Sequence, residues 1–225
     1  MTGLVKRTRS LLAAPPEPFI ETERSKAILR KLIDDMPDSA VILNVGAGYS
    51  DLGSRVINTD IFDSGTTDVI SSGLALPFAD ESVDLVIMQG VLEHVLDAQT
   101  ALDECIRVMR PGGKFYTEMP FMQPYHESPI DMRRCTLTGL AEMCKPLRHL
   151  ESGMNVGPAS TLTWVLREFV AGLLGGGSDK RYRQVNSLVG WVVFPFRYLD
   201  IWLEKKPYMH RIGSSFYFIG EKVKS

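Results

Sequence analysis

A series of short apolar runs, each closed by a turn signal, constrains this chain more than any other feature. Val41–Val45 ends in Gly46-Ala47-Gly48, Val56-Ile57 leads to Asp60, Asp68–Ile70 is brief, and Val83–Met88 stops at Gln89-Gly90. Lys114–Met119, Leu147–Met154 and Ser215–Ile219 extend the series. Apolar residues follow one another in these runs instead of alternating, as in strands buried on both faces. Helical periodicity separates several of the runs. Over 23–36, Ile28, Leu32, Ile33 and Met36 share a face, and Pro37 follows. Over 97–110, Asp97 stands at the cap position, and Ala98, Ala101, Leu102, Cys105 and Met109 form the apolar stripe. Arg107 and Arg110 fall in the last turn, and Pro111-Gly112-Gly113 is the stop. Thr136–Cys144 and 160–174 read as further helices, the second broken by Arg167-Glu168, and Gly175-Gly176-Gly177-Ser178 as a flexible break. Strands alternating with helices predict an α/β fold with a doubly wound, mostly parallel sheet.

Composition narrows the function classes. Hydrophobic residues at 44% and charged residues at 23% are those of a globular chain and argue against disorder or a multi-span membrane protein. The net charge of −2 gives no reason to expect a nucleic-acid partner. Charge is uneven, however. Residues 180–225 carry nine Lys or Arg against three Asp or Glu, together with Trp191, Phe194, Phe196, Tyr198 and Trp202. This stretch reads either as an added helical layer with buried aromatics or as a membrane-surface element. The three cysteines form no ligand spacing, so no metal centre is expected. Their odd number fits a reducing, cytoplasmic compartment. The apolar run after Lys6, Arg7 and Arg9 is too short for a signal peptide.

The run VILNVGAGYS (41–50) sets two glycines at a strand-to-turn junction, where backbone can approach a ligand without an intervening Cβ. By itself it is a cofactor loop or merely a structural turn. Asp60, at the end of the next strand, is a ribose acceptor as in dinucleotide folds or a solvated loop acid.

With the block 73–121 added, the chain resembles the class I S-adenosylmethionine-dependent methyltransferases. The likeness lies in NVGAGYS, LPF (76–78), ADES (79–82), VDLVIMQGVLEHV (83–95) and RPGG (110–113), and covers roughly residues 40–150. It implies a Rossmann-like seven-stranded sheet with helices on both faces and an antiparallel last strand, supplied by Ser215–Ile219. It also implies S-adenosylmethionine as cofactor. Asn44, Gly46 and Gly48 would line its methionine end, Asp60 would hold the ribose, Ser72, Gly73 and Leu74 would border the adenine, and Gln89 would face the amino-acid portion. The chain departs from the family's pattern at three of its positions. Asn44 and Ser72 stand where the family usually has acids, and Ser50 replaces a common third glycine. The short connection from Gly48 to Asp60 predicts an abbreviated crossover helix.

The resemblance also places the polar segment PFMQPYHESPIDMRRCT (120–136) beside the acceptor. Its order of PF, His, Pro, Asp, Arg and Thr is similar to methyltransferases of polysaccharide and glycan gene clusters. His126 is then the expected general base, with Asp131 orienting its ring or serving as base. Glu93, Tyr125 and Arg134 would contact the acceptor, and Glu127 is a nearby carboxylate. Asp131, Arg134 and Thr136 also admit a structural role, pinning the loop to the following helix, and His94 reads as a packed residue. The implied activity is O-methylation of a sugar or other small polar acceptor. A scaffold protein that keeps the fold without catalysis is the alternative. A nicotinamide-dependent oxidoreductase is disfavoured because GAGYSDLG is not the GxGxxG fingerprint. The expected organisation is an arm (1–22), a cofactor-binding core (23–155), a helical insertion or lid (156–213) and the closing strand (214–225). Peripheral contact with the inner face of the membrane falls to the C-terminal region.

Overall fold

The computed structural model describes residues 15–126 and 130–223. Lys6, Arg7 and Arg9 of the expected arm, and Glu127, lie outside the described residues. Seven strands form one sheet: β1 (Ile42–Val45), β2 (Val56–Asp60), β3 (Val69–Ile70), β4 (Val83–Gln89), β5 (Met109–Pro120), β6 (Arg148–Val156) and β7 (Ser215–Glu221). Their order is β3-β2-β1-β4-β5-β7-β6. The pairs from β3 to β5 are parallel, and β7 runs antiparallel between β5 and β6, as expected of the last strand. Chain order reverses direction between β1 and β4, and ligands of open α/β sheets bind beyond the strand ends at such a point.

Consecutive apolar residues in β1, β4 and β7 follow from burial on both faces. One face packs Leu43, Val86, Met88, Phe115 and Phe218 under α2 (Ala98–Val108) and α3 (Leu137–Met143). The other packs Ile42, Leu85, Ile87, Tyr116 and Tyr217 under α1 (Glu23–Asp34). Cys105 lies fully buried in the first layer. Two local expectations are corrected. The predicted helix to residue 110 ends at Val108, because Met109 turns extended and pairs with Val83, while Arg110 reaches the Asp84 carboxylate at 2.8 Å. The abbreviated helix between β1 and β2 does not form. The segment consists of turns, with Gly46 and Ala47 donating to Thr59 O.

Between β6 and β7 lie α4 (Pro158–Gly175), α5 (Asp179–Val193), a 3-10 segment (Phe194–Leu199), α6 (Asp200–Leu203) and a second 3-10 turn (Met209–Ile212). Gly175 ends α4, and Gly176 and Gly177 make the turn to α5. Gly176 and Gly177 take φ of 56° and 74°, and Ser178 then caps α5. Arg167 and Glu168 interrupt the apolar pattern of α4 because they bond across to α5: Arg167 Nε donates to Asn186 Oδ1 at 2.5 Å, and Asn186 Nδ2 donates to Glu168 Oε1 at 3.1 Å. The first turn of α4 is capped from a distance. Asp200 accepts the Ala159 and Ser160 N–H groups at 2.7 and 2.9 Å. Residues 19–22 lie along the start of this layer. Thr22 N–H donates to Asn155 O at 2.7 Å, Ile20 N–H to Ser160 Oγ at 3.1 Å, and Phe19 stacks on Trp164 at 5.5 Å.

Candidate active site

A cleft of about 370 Å³ opens at the C-terminal ends of β1, β4 and β5. Asn44, Gly46 and Ala47 line one side, Gln89, Gly90, Glu93 and His94 the next, and Glu118, His126, Asn155, Trp164 and Glu21 the remainder. The buried strands fix where these polar groups emerge, because each strand's last residues pass from the apolar layer to the sheet's edge.

Of the residues expected at the cofactor, Asn44, Gly46 and Gln89 line this cleft. Asn44 is buried and donates through Nδ2 to Asn58 Oδ1 at 3.0 Å, which leaves its carbonyl oxygen as the group it can offer. Gly46 has φ of 69°, and a Cβ there would meet Val91 Cγ2 at 2.5 Å. The glycine is therefore required first by the approach of the loop after β4. Gln89 Nε2 donates to Glu118 Oε1 at 3.2 Å. Gly48, Asp60, Ser72, Gly73 and Leu74 lie outside the cleft's lining. Asp60 accepts the Gly48 N–H at 2.7 Å and so shapes the glycine turn. A carboxylate has about four lone-pair sites, so capacity for ribose hydroxyls remains. Next to it in the chain, Ile61 and Phe62 are exposed apolar side chains, as is Leu74. Ser72 Oγ accepts from Leu74 N–H at 3.2 Å, closing a turn through Gly73. These groups fit an adenosine: a carboxylate for the ribose beside apolar surface for the base.

The acceptor segment is docked onto the loop after β4. Arg133 Nη1 donates to Leu92 O at 2.6 Å and to Val95 O at 2.5 Å, Nη2 to Leu96 O at 2.9 Å, and Met132 N–H to Glu93 O at 2.9 Å. This carries His126 over His94, with ring centroids 5.3 Å apart, and beside Trp164 at 5.7 Å. Burial holds the His126 pKa below its ordinary value. Glu93 is 3% exposed, and burial pushes its carboxyl up to about 7.

Three expected roles on this segment are corrected by the geometry. Asp131 forms a two-oxygen ion pair with Arg134 and accepts the His126 backbone N–H at 2.8 Å. The Arg134 guanidinium beside it lowers its carboxyl to about 2, which makes it a poor base. Nor does Asp131 orient the His126 ring. Its Oδ2 is 3.6 Å from Nδ1, whereas Pro124 O stands at 3.3 Å. Arg134 spends its remaining donors on Gln123, Pro124 and Arg133 carbonyls, so it braces the loop and is not free for a substrate anion. Tyr125 is exposed and borders a separate shallow depression with Arg134. Thr136 caps α3 by accepting Gly139 N–H at 3.0 Å.

Sequence reasoning missed Glu118. It lies buried at the end of β5, accepts from Tyr116 O–H and Gln89, and burial pushes it up to about 7. A lone acid inside the strand run KFYTEMP was the available signal. Glu21 and Asn155 were missed as well, and only the docking of residues 19–22 on β6 brings them in.

Comparison with known proteins bears on the fold and the segment that carries the glycine turn. Residues 46–117 match the family described as a methyltransferase domain. An uncharacterized methyltransferase of Mycobacteroides abscessus is 32% identical, covering 48% of this chain and 55% of that protein. A Mycolicibacterium smegmatis protein described as a probable S-adenosylmethionine-dependent methyltransferase is 34% identical over 38% of this chain and 40% of its own. The chain thus spans about half the length of these curated relatives. In fold, it is similar to Haemonchus contortus phosphoethanolamine N-methyltransferase 2 in complex with S-adenosyl-L-methionine. That similarity has a TM-score of 0.54 at 17% identity, covering 89% of this chain and 52% of the other. Residues 46–117 are thus similar to a methyltransferase domain, and the sheet that carries them has the fold of a solved methyltransferase in complex with S-adenosyl-L-methionine.

Proposed function

We propose that the chain transfers a methyl group from S-adenosylmethionine to an oxygen of a sugar or other small polar acceptor. One observation carries this reading. The cleft beside the glycine turn is faced by a wall of lone-pair groups, Glu93, His94 and His126, as a hydroxyl that must lose its proton requires. When bound, the cofactor supplies an electrophilic methyl on a sulfonium. The chain's own residues supply the rest. Asn44 and Gln89 offer acceptors to an ammonium, Asp60 offers its remaining lone pairs to ribose hydroxyls, and the Ser72–Leu74 turn borders the base. Arg133 and the Asp131–Arg134 pair hold the acceptor loop rigid, and alignment of the reacting atoms is the larger part of such a displacement. The order of PF, His, Pro, Asp, Arg and Thr over 120–136 is the sequence ground for a sugar acceptor.

The layer from α4 to α6 serves in this reading as a lid and as a weak contact for an anionic membrane. No helix of the described residues is long and apolar enough to cross one. Phe169, Leu173, Phe196, Tyr198 and Trp202 are exposed instead of packed away, and Lys206 sits over the Trp202 ring at 4.3 Å. An apolar groove of about 750 Å³ between Phe121, Met122 and Pro124 on one side and Val165, Phe169 and Leu173 on the other shares Gln123 with the cleft. A lipid-linked acceptor would find room for its chain there. Incubation with methyl-labelled cofactor and panels of sugars, nucleotide sugars, lipid-linked sugars and matching amines tests the reading by mass spectrometry. Label on a hydroxyl supports it. Label on amines alone would overturn it.

A further inference from the structure

Glu93, His94 and His126 place one ligand-type atom each within 4.8 Å of the others. With Glu93 ionised, nothing in the group can donate to the rest. His94 Nδ1 is held against Ile130 O, and His126 Nδ1 lies 3.3 Å from Pro124 O. A carbonyl only accepts, so each Nδ1 carries the proton and each Nε2 is left with its lone pair. Arg134 Nη2 also approaches His126 Nδ1 at 3.4 Å, but its two N–H groups are already directed to Pro124 O at 2.9 Å and Asp131 Oδ2 at 2.5 Å. Glu93 is 3% exposed, its Oε1 is 3.9 Å from His94 Nε2, and its Oε2 has no hydrogen-bond partner among the described residues. A buried acceptor left without a donor is costly, and here two more acceptors face it.

We propose that Glu93, His94 and His126 bind a divalent transition-metal ion of the zinc type, with an open position toward the cleft. Two imidazoles and a carboxylate are a donor set suited to zinc, cobalt or ferrous iron. Carbonyl partners on both Nδ1 atoms are the outer contacts that fix the tautomer and ring plane of metal-bound histidines. Ligands around a tetrahedral ion lie about 3.3 Å apart, so small side-chain rotations close the group. The sequence hides the site because His126 arrives from another loop, brought over by Arg133. The proposal rests on the methyltransferase reading for its use. An acceptor oxygen taking the open position would lose its proton to water more readily.

Cobalt tests the site without turnover. The full chain, stripped with chelator and titrated with Co²⁺, is expected to bind one ion with a visible absorption band typical of nitrogen and oxygen ligands. Glu93→Gln and His94→Ala are expected to weaken binding at least 100-fold while a cooperative thermal melt and measurable S-adenosylhomocysteine binding persist. The His210→Ala control, at an exposed histidine elsewhere, keeps both. Absence of a stoichiometric band in the wild type would overturn the proposal, as would undiminished binding in Glu93→Gln, the isosteric variant least able to disturb folding. A band of thiolate character would assign the ion to Cys135 and also overturn it. Loss of S-adenosylhomocysteine binding by the wild type would strike the methyltransferase reading separately.

Discussion

Replacing Glu118 by Gln tests whether the acid buried at the end of β5 carries the electrostatic strain its surroundings imply. The groups facing it are Tyr116 and Gln89 from the sheet, Asn155 from β6, Glu21 from the N-terminal segment and Glu93 from the loop after β4. Burial raises the carboxyl to about 7 from an ordinary 4.5, against which the bonds from Tyr116 and Gln89 work only in part. Between these values the folded chain holds a proton that the unfolded chain has released. Stability from this group is therefore fully present below pH 4.5 and falls as pH rises through 7. At 1.36 kcal/mol per pKa unit, the loss between pH 5 and pH 8 is about 2 to 3 kcal/mol. Glutamine keeps an acceptor for Tyr116 and Gln89 and carries no charge to desolvate. Urea unfolding of ligand-free protein in chelator should show wild type and variant alike at pH 5, with the variant more stable by about that margin at pH 8. For a chain of this size, the gain corresponds to roughly 4–12 °C in Tm. Parallel pH profiles for the two proteins would refute the reasoning and leave Glu118 ionised and well solvated.

Three further outcomes follow from particular contacts. Asp60→Ala should weaken S-adenosylhomocysteine binding about 10- to 100-fold, the range for losing a charged hydrogen bond; calorimetry giving wild-type affinity in a folded variant would confine Asp60 to holding Gly48. Asp200→Ala strands the Ala159 and Ser160 N–H groups and should cost about 2 to 4 kcal/mol, with amide exchange accelerating first at the start of α4; unchanged exchange there would mean the cap contributes nothing. Vesicles rich in anionic lipid should sediment the chain at low salt and release it at high salt, and Trp202→Glu should weaken that binding; no sedimentation at low salt would remove the membrane from the function.

The sheet was legible because burial on both faces leaves a mostly apolar run for β1 and β4, and punctuation such as Gly46-Ala47-Gly48 marks where the strand must end. Asp97 announced its helix as a cap, a preference set within a few residues of the chain, whereas the capping role of Thr136 emerged only in the structure. The resemblance had set Asn44, Gly46 and Gln89 at the cofactor, and all three line the cleft. The duties of Asp131 and Arg134 were not legible. A carboxylate and a guanidinium in one loop are equally fit to act on a substrate or on each other, and only the folded loop, with Arg133 tied to three carbonyls after β4, decides for each other. The aromatics of 191–202 were open for the same reason: composition says that they prefer an interface, while the packing of α4 and α5 leaves Phe196 and Trp202 outward. Spacing along the chain therefore determined the strands, the Asp97 cap and the glycine turn. Tertiary contact alone decided that Glu93, His94 and His126 meet and that Glu118 loses its water, because pairing and desolvation depend on which distant segments are brought together.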